Sequence, residues 1–356
     1  MTSRKIPVAI LGATGMAGQR YVQLLQDHPY FEIKDLAASE RSKDKSYFEA
    51  VSGRWLSADA IPDNVRNKKL IGIEEVSEEV RLVFSAVDSD LAREWEPFYA
   101  RQGKFVVSNA SAFRSDPLVP VLIPEINPEH LEVLASQREI KGWKGAIVTK
   151  PNCSIQSYLL PLYVLEKSGF EIESLIVSTM QALSGAGFPG LSAMSLTENV
   201  VPLIRGEEEK TELEPLKLLG SYVPKSRQIE NRKDLVISAH CNRVPVLDGH
   251  MACVSVKLKN SDVDLKEIWS CWEKFEAGCS LPLSPKKAIH CHQDEDRPQP
   301  RIDRESDSGM AIHVGRLRSC NVFDFRFVGL SHNTLRGAAG GGVLIAEYLQ
   351  QNNYLD

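Results

Sequence analysis

Three kinds of side chain in this sequence have the types and spacing for covalent chemistry: a thiol, an imidazole and a group of cations. The thiol is Cys153, in "GAIVTKPNCSIQSYLLPLYVLEKSG". Residues 145–149 read as a buried strand, and the apolar spacing from Ser154 onward reads as a helix. A cysteine at that junction meets the unpaired N–H groups of a helix start. Those groups lower a thiol pKa from its ordinary value of about 8.5 and favour a nucleophilic thiolate. A buried, inert cysteine is the competing reading, and position by itself does not separate the two.

The imidazole and one cation share the segment "HCNRVPVLDGHMACVSV". It reads as a β-hairpin with Asp248-Gly249 as its turn and Leu247 opposite His250. Residues 243, 245 and 247 then share a face, so Arg243 and His250 point to the same side. A histidine titrates near neutrality and suits proton exchange, while a guanidinium suits a carboxylate. In "SNASAFR", Arg114 follows Asn109 and Ser111 at a strand end, a plausible anion site. "RGEEEKTELEPLKLLG" reads as an amphipathic helix with Glu207, Glu208 and Lys210 in its first turn, where glutamates are also ordinary dipole partners.

These residues need a scaffold, and the chain opens with one. "VAILGATGMAGQRYVQLL" sets Gly12, Gly15 and Gly18 after a strand and at the mouth of a helix over about 15–27. The spacing is G-x-x-G-x-x-G, but the context is that of a dinucleotide fingerprint. The second strand ends in "LAASERSKDK", where Ser39, Arg41 and Ser42, with Lys43 and Lys45 beyond, suit a 2′-phosphate. NADP is therefore expected rather than NAD, with Glu40 pointing away. Strand and helix patterns alternate to about residue 150, which predicts a parallel sheet wrapped by helices. Longer strand patterns follow, several of them consecutive. The expected fold class is α/β: a Rossmann-type domain over 1–150, then an α+β catalytic and oligomerisation domain over 151–330 with a mixed, largely antiparallel sheet. The tail 331–356 reads as a long helix with a glycine-rich face that returns to the first domain.

The 356-residue chain has a net charge of −5 and no long basic run, which argues against nucleic acid as a partner. No apolar run reaches the roughly 18 residues of a membrane span, and the N-terminus lacks a signal-peptide pattern. The seven cysteines are loosely spaced without C-x-x-C, as in a cytoplasmic protein with reduced thiols. "HCH" at 290–292 would throw Cys291 to the opposite face of a strand, and no second ligand cluster is visible in the sequence. No metal is expected.

Together the segments "GATGMAGQR", "SNASAFR", "PNCS", "QALSGAG", "GEEEK", "HCNRVPVLDGH", "EDRPQPRIDR" and "SHNTLRGAAGG" resemble the aspartate-β-semialdehyde dehydrogenase family, most of all its archaeal and fungal branch. They occur in family order over nearly the whole chain. The resemblance implies NADPH-dependent reductive dephosphorylation of L-aspartyl-4-phosphate to L-aspartate-4-semialdehyde, reversibly, in lysine, threonine and methionine biosynthesis. It implies that Cys153 forms a thioester, that His250 is the acid–base residue and that Gln181 orients the acyl intermediate. It assigns Arg243 to the substrate carboxylate, Glu207 or Glu208 to its ammonium, and Lys210 and Arg114 to phosphate near Asn109. It assigns Gly12, Ala13, Thr14, Gly15, Met16, Gly18, Ser39, Arg41, Ser42, Ser184, Gly185 and Asn333 to NADP. A homodimer or homotetramer is implied. Two places depart from the family pattern: Val87-Asp88, and Met251-Ala252-Cys253 after the histidine. The alternatives are an acyl-CoA reductase, such as one acting on malonyl-CoA, N-acetylglutamyl phosphate reductase, which fits the motifs less well, or a non-catalytic NADP sensor.

If Cys153 is the nucleophile, Cys153→Ser lowers turnover by orders of magnitude and leaves NADP affinity close to wild type. Steady-state kinetics with a cofactor titration check both halves, and near-normal turnover refutes the assignment.

Overall fold

The computed structural model describes residues 5–57, 59–260 and 263–355, so the expected domain limits at Met1 and Asp356 lie outside the described residues. Five short strands, β1 (Ile6–Leu11), β2 (Phe31–Ala37), β3 (Leu82–Ser85), β4 (Phe105–Ser108) and β5 (Ala146–Thr149), form one sheet in the order β2-β1-β3-β4-β5. Every pairing in it is parallel. Strands β3, β4 and β5 are buried along their whole length. That is why they read as continuous apolar runs rather than alternating ones. The first helix spans Met16–Leu24, inside the expected range.

The second sheet has six strands in the order β11-β12-β13-β10-β6-β9. They are β6 (Ile172–Gln181), β9 (Val236–Arg243), β10 (His250–Leu258), β11 (Ile289–His292), β12 (Ile312–Ser319) and β13 (Phe325–Ser331); a separate two-stranded ribbon joins β7 (Ser221–Val223) to β8 (Gln228–Glu230). The three central pairings are antiparallel, and the two outer ones are parallel. The helices Leu159–Lys167 and Leu265–Lys274 cover one face with Leu159, Leu162, Leu165, Ile268 and Trp272, and the Trp272 indole N–H donates to Pro161 O at 2.9 Å. The other face leaves Ile176 42% and Val236 66% exposed.

The expected hairpin over 240–256 does not form. Strand β6 inserts between β9 and β10, pairing parallel with one and antiparallel with the other. The connection 244–249 instead wraps the end of β6: Val244 N–H donates to Gln181 O, and Leu183 and Ser184 N–H donate to Val246 O and Leu247 O. A turn signal states where the chain can reverse. It does not state whether a third strand takes the gap, which is decided by the side-chain packing of all three.

The C-terminal helix is shorter than its sequence pattern. Strand β13 runs to Ser331, a π-turn spans Leu335–Ala339, and the α-helix covers Gly340–Gln351. Its Val343, Ile345, Ala346 and Leu349 share a core with Val8, Ile10 and Val22 of the first sheet and helix. The π-turn is anchored by Arg336, which is 1% exposed; its Nε donates to Gln156 Oε1 at 3.0 Å and its Nη1 to Glu125 Oε1 at 2.6 Å. Removing one member of a buried pair leaves the other charge uncompensated.

Arg336→Met is therefore expected to cost about 3–5 kcal/mol. Adding Glu125→Leu should recover most of that loss. Denaturant melts of the wild type, both single variants and the double variant measure it, and a strictly additive cycle refutes the coupling.

Candidate active site

Cys153 sits in a turn between the two sheets, held from both sides. Before it, Lys150 N–H donates to Ser108 O at 3.0 Å, fastening the loop to the end of β4. Asn152 then works in three directions. Its N–H donates to Glu214 Oε2 at 2.6 Å, its Nδ2 donates to both Glu207 oxygens at 2.9 and 3.0 Å, and its Oδ1 accepts from Ser154 N–H at 2.9 Å. A 3-10 turn follows at Ile155–Ser157, and the α-helix begins only at Leu159.

This corrects the electrostatic expectation for the thiol. The helix start lies six residues beyond Cys153, and the Ser154 N–H is taken by Asn152. Burial, followed by the Glu207 carboxylate, pushes the Cys153 thiol up; Lys150, Arg114 and Arg243 pull the other way without prevailing.

His250 lies beside Arg243, as expected, but not through a hairpin. His250 opens β10 and is fully buried, with its Nε2 3.3 Å from Cys153 Sγ. Its Nδ1 accepts from Ala182 N–H at 3.0 Å. A neutral imidazole accepting at Nδ1 carries its proton on Nε2, so the ring presents N–H to the sulfur. Burial, then the charges of Arg243, His332 and Lys150, hold its pKa well below the ordinary imidazole value. It is neutral at neutral pH.

Arg243 ends β9 and donates to Ala182 O at 2.7 Å. No carboxylate lies within ion-pair distance of it among the described residues. A side chain at Gly185 would meet Arg243 Nη1 at 2.7 Å and His250 Nε2 at 3.1 Å, so both groups flank that glycine. Gln181 ends β6 and donates weakly to Glu207 Oε2 at 3.3 Å. Asn333 braces the same corner: it donates to Ser184 Oγ at 2.7 Å and accepts from Gly249 N–H at 2.8 Å.

A cleft of about 370 Å³ opens onto Cys153, Gly185 and Asn333, and its walls also include Met16, Asn109, Arg114, Ser184, Glu207 and Lys210; His250 and Arg243 stand behind it, against Cys153 and Gly185. Glu207 and Glu208 separate here. Glu207 lines the cleft and pairs with Lys210 at 2.9 Å. Burial raises its pKa, but Lys210, Asn152 and Gln181 outweigh this and leave it lowered. Glu208 turns to the sheet and accepts from Cys241 N–H at 3.1 Å. Arg114 is engaged by Glu214 at 2.9 Å and by Asn109 O at 2.7 Å.

The glycine loop forms the other end of the cleft. Gly12 has φ +74°, and a Cβ there would lie 2.6 Å from Ala86 O; a Cβ on Gly18 would lie 2.2 Å from Gly12 O. Only bare backbone allows this packing. Gly12 and Ala13 N–H both donate to Ala37 O at the end of β2. Gly15 precedes the helix at Met16, with Thr14 beside it in the turn. Ser39 and Arg41 stand exposed just beyond, with Ser42 N–H donating to Ser39 O, while Lys43 is tied to Glu74 and Glu75.

Several neighbours escaped the sequence reading. Gly337 lies against the nucleophile: a Cβ there would be 2.8 Å from Cys153 Cβ. Lys150 lines the cleft and is buried. A glycine in a small-residue run and a lysine at a strand end carry no local signal. The two departures from pattern are structural: Asp88 caps the helix Ser89–Arg101, and Met251, Ala252 and Cys253 pair within the sheet. A second ligand cluster that was not visible in the sequence does form, where His292, Asp303 and His313 bring ligand atoms within 4.8 Å of one another. They come from three separate elements. Asp303 there accepts from both Arg297 nitrogens and from Gln299 N–H, so the cluster is internally satisfied at its carboxylate.

Residues 7–134 match the family model described as semialdehyde dehydrogenase, NAD binding domain, and residues 159–336 match the one described as semialdehyde dehydrogenase, dimerisation domain. The chain is 44% identical to an aspartate-semialdehyde dehydrogenase of Archaeoglobus fulgidus, over 96% of this chain and 97% of that one. It belongs to the aspartate-semialdehyde dehydrogenase family. A Schizosaccharomyces pombe member is 43% identical over 96% of each chain. Among solved structures, the Candida albicans enzyme with NADP superposes with a TM-score of 0.90 at 38% identity, covering 98% of this chain and 99% of that one. The archaeal and fungal resemblance and the α/β fold with a mixed second sheet are thereby established for this semialdehyde dehydrogenase. No helix among its described residues is long and apolar enough to cross a membrane.

Two outcomes follow from this geometry. Gly337→Ala should displace Cys153 and lower kcat by about 100-fold, as a misplacement near 1 Å does; unchanged kcat refutes the contact. Because the thiol is raised and His250 stays neutral, iodoacetamide alkylation of Cys153 in the free enzyme should still be rising above pH 9. A plateau reached below pH 8 would instead report an imidazolium–thiolate pair.

Proposed function

We propose that this semialdehyde dehydrogenase converts L-aspartyl-4-phosphate to L-aspartate-4-semialdehyde with NADPH, reversibly, through a thioester on Cys153, in lysine, threonine and methionine biosynthesis. The observation that carries the reading is the 3.3 Å contact between Cys153 Sγ and His250 Nε2, at a cleft that Arg114, Lys150 and Lys210 also line. The substrate has the matching form, with a carboxylate and ammonium at one end and a phosphoryl group at the other.

Arg243 is unpaired beside His250 and takes the α-carboxylate as a charge-assisted hydrogen bond. Glu207, rather than Glu208, takes the ammonium, since Glu208 is committed to β9. Cys153 attacks the acyl carbon; its sulfur–carbon bond forms as the carbon–oxygen bond to phosphate breaks, and the thiol proton leaves with the phosphate. Covalent capture splits one difficult displacement into two easier steps. His250 Nε2–H, aimed at the sulfur, offers a hydrogen bond to the oxygen that gains charge on the attached carbon. Gln181, at the end of β6, orients that acyl group.

The glycine cradle fits a dinucleotide, because bare backbone at Gly12 and Gly18 lets the turn pack tightly onto Ala86 and onto its own helix start, the tight strand–turn–helix geometry of a pyrophosphate site. Gly12, Ala13, Thr14, Gly15, Met16 and Gly18 would hold it, with Ser39, Arg41 and Ser42 at the 2′-phosphate and Ser184, Gly185 and Asn333 toward the nicotinamide. When bound, NADPH supplies the hydride that takes the thioester to the aldehyde level. Residues 1–150 with 331–356 carry most of the cofactor site; residues 151–330 add Ser184 and Gly185 to it and carry most substrate and subunit contacts. The uncovered face of the six-stranded sheet supports assembly into a cytoplasmic homodimer or homotetramer.

Semialdehyde plus phosphate should reduce NADP rapidly, NAD more slowly, and semialdehyde plus CoA should give nothing above background. CoA-dependent turnover overturns the phosphate assignment. Arg243→Leu should lower kcat/KM for the semialdehyde by about 100-fold, the scale of a lost hydrogen bond to a charged group, and leave KM for phosphate near wild type.

A further inference from the structure

The cleft holds three lining cations, and they are not equivalent. Arg114 is neutralised by Glu214 at 2.9 Å, with its second terminal nitrogen on Asn109 O. Lys210 is neutralised by Glu207 at 2.9 Å. Lys150 is different. It is 3% exposed, it lines the cleft beside Asn152 and Cys153, and no carboxylate lies within ion-pair distance of it among the described residues. Its Nζ donates to Pro151 O at 2.5 Å. An ammonium has three donors, so two remain for a ligand.

We infer that Lys150 is a phosphate-binding residue of this active site, receiving the phosphoryl group of the acyl phosphate or free phosphate in the reverse direction. The inference rests on the reading under Proposed function and adds to it a residue that neither the sequence nor the relatives assigned.

The argument is one of charge balance. A buried ammonium without a partner costs several kcal/mol. Such a group is kept where an incoming anion supplies the missing charge. A phosphoryl dianion brings two negative charges, and Arg114 and Lys210, which the family resemblance assigns to phosphate, each already face a carboxylate, so an unpaired third cation completes the balance. Arg243, the other unpaired cation, lies beside His250 and Gly185 and serves the carboxylate end. Lys150 is fastened through its N–H to Ser108 O at the carboxyl end of the parallel sheet, where anions commonly bind in such folds. Burial, with help from Arg114, brings its pKa down to about 7, so anion entry is accompanied by proton uptake on Nζ above that pH.

The test uses the full chain and Lys150→Met, which keeps length and removes charge. Its thermal midpoint should equal or exceed that of the wild type, because an uncompensated charge has left the interior. Lys150→Gln is read in the same way if the Met variant does not fold. With semialdehyde and NADP saturating, KM for phosphate should rise roughly 10- to 100-fold; KM for NADP and for semialdehyde should stay within about twofold, and Lys150→Arg should restore part of the loss. An unchanged phosphate KM in a folded variant overturns the inference. So does a loss of Cys153 alkylation rate with phosphate KM unchanged, which would assign the ammonium to the sulfur. If the wild type shows no phosphate-dependent turnover, the proposed activity fails independently. Titration of inorganic phosphate by calorimetry then decides Lys150 alone: binding to wild type and ten-fold weaker binding to Lys150→Met supports it, and equal or absent binding refutes it.

Discussion

The backbone N–H of Ala182 governs the chemistry of this site. By donating to His250 Nδ1 it sends the ring proton to Nε2, and so decides what Cys153 faces. A ring free to rotate or to exchange tautomers would present either a donor or an acceptor to the sulfur. Here it presents a donor. Ala182 in turn is held because β6 runs between β9 and β10, which puts its carboxyl end beside both Arg243 and His250. The unexpected strand order is therefore what brings a guanidinium and an imidazole to one alanine.

The nucleophile is positioned by a different set of forces. Its loop is fastened by backbone to β4, by Asn152 to two glutamates of the helix Glu207–Leu218, and by close packing to Gly337. Gly337 belongs to the C-terminal segment that the buried Arg336–Glu125 pair secures. Residues some 180 positions apart thus share one contact around the sulfur. Buried polar groups of this kind stabilise little in net terms, but each forbids alternatives, and an active site needs the alternatives removed.

Charge is distributed with equal economy. Two of the three cations lining the cleft are matched to carboxylates within the protein, and one is not. An unmatched buried charge is unfavourable in the empty cleft and favourable when an anion fills it. The thiol follows the same logic in reverse. Burial and the Glu207 carboxylate disfavour its ionised form more than Lys150, Arg114 and Arg243 favour it.

Much of this was legible in the residues themselves. Apolar runs and alternation mark the parallel sheet and most strands of the second, because burial on two faces or one leaves a direct imprint on residue type. The glycine loop, Cys153, His250 and Arg243 stood out as candidates because their chemistry restricts which residue can stand there. Strand order, the length of the last helix and the separation of Glu207 from Glu208 were not legible. Neither were Lys150, Gly337 or the His292–Asp303–His313 cluster. Those depend on contacts between segments distant in the chain, where many side chains compete for one space, and a local pattern holds no record of which competitor wins.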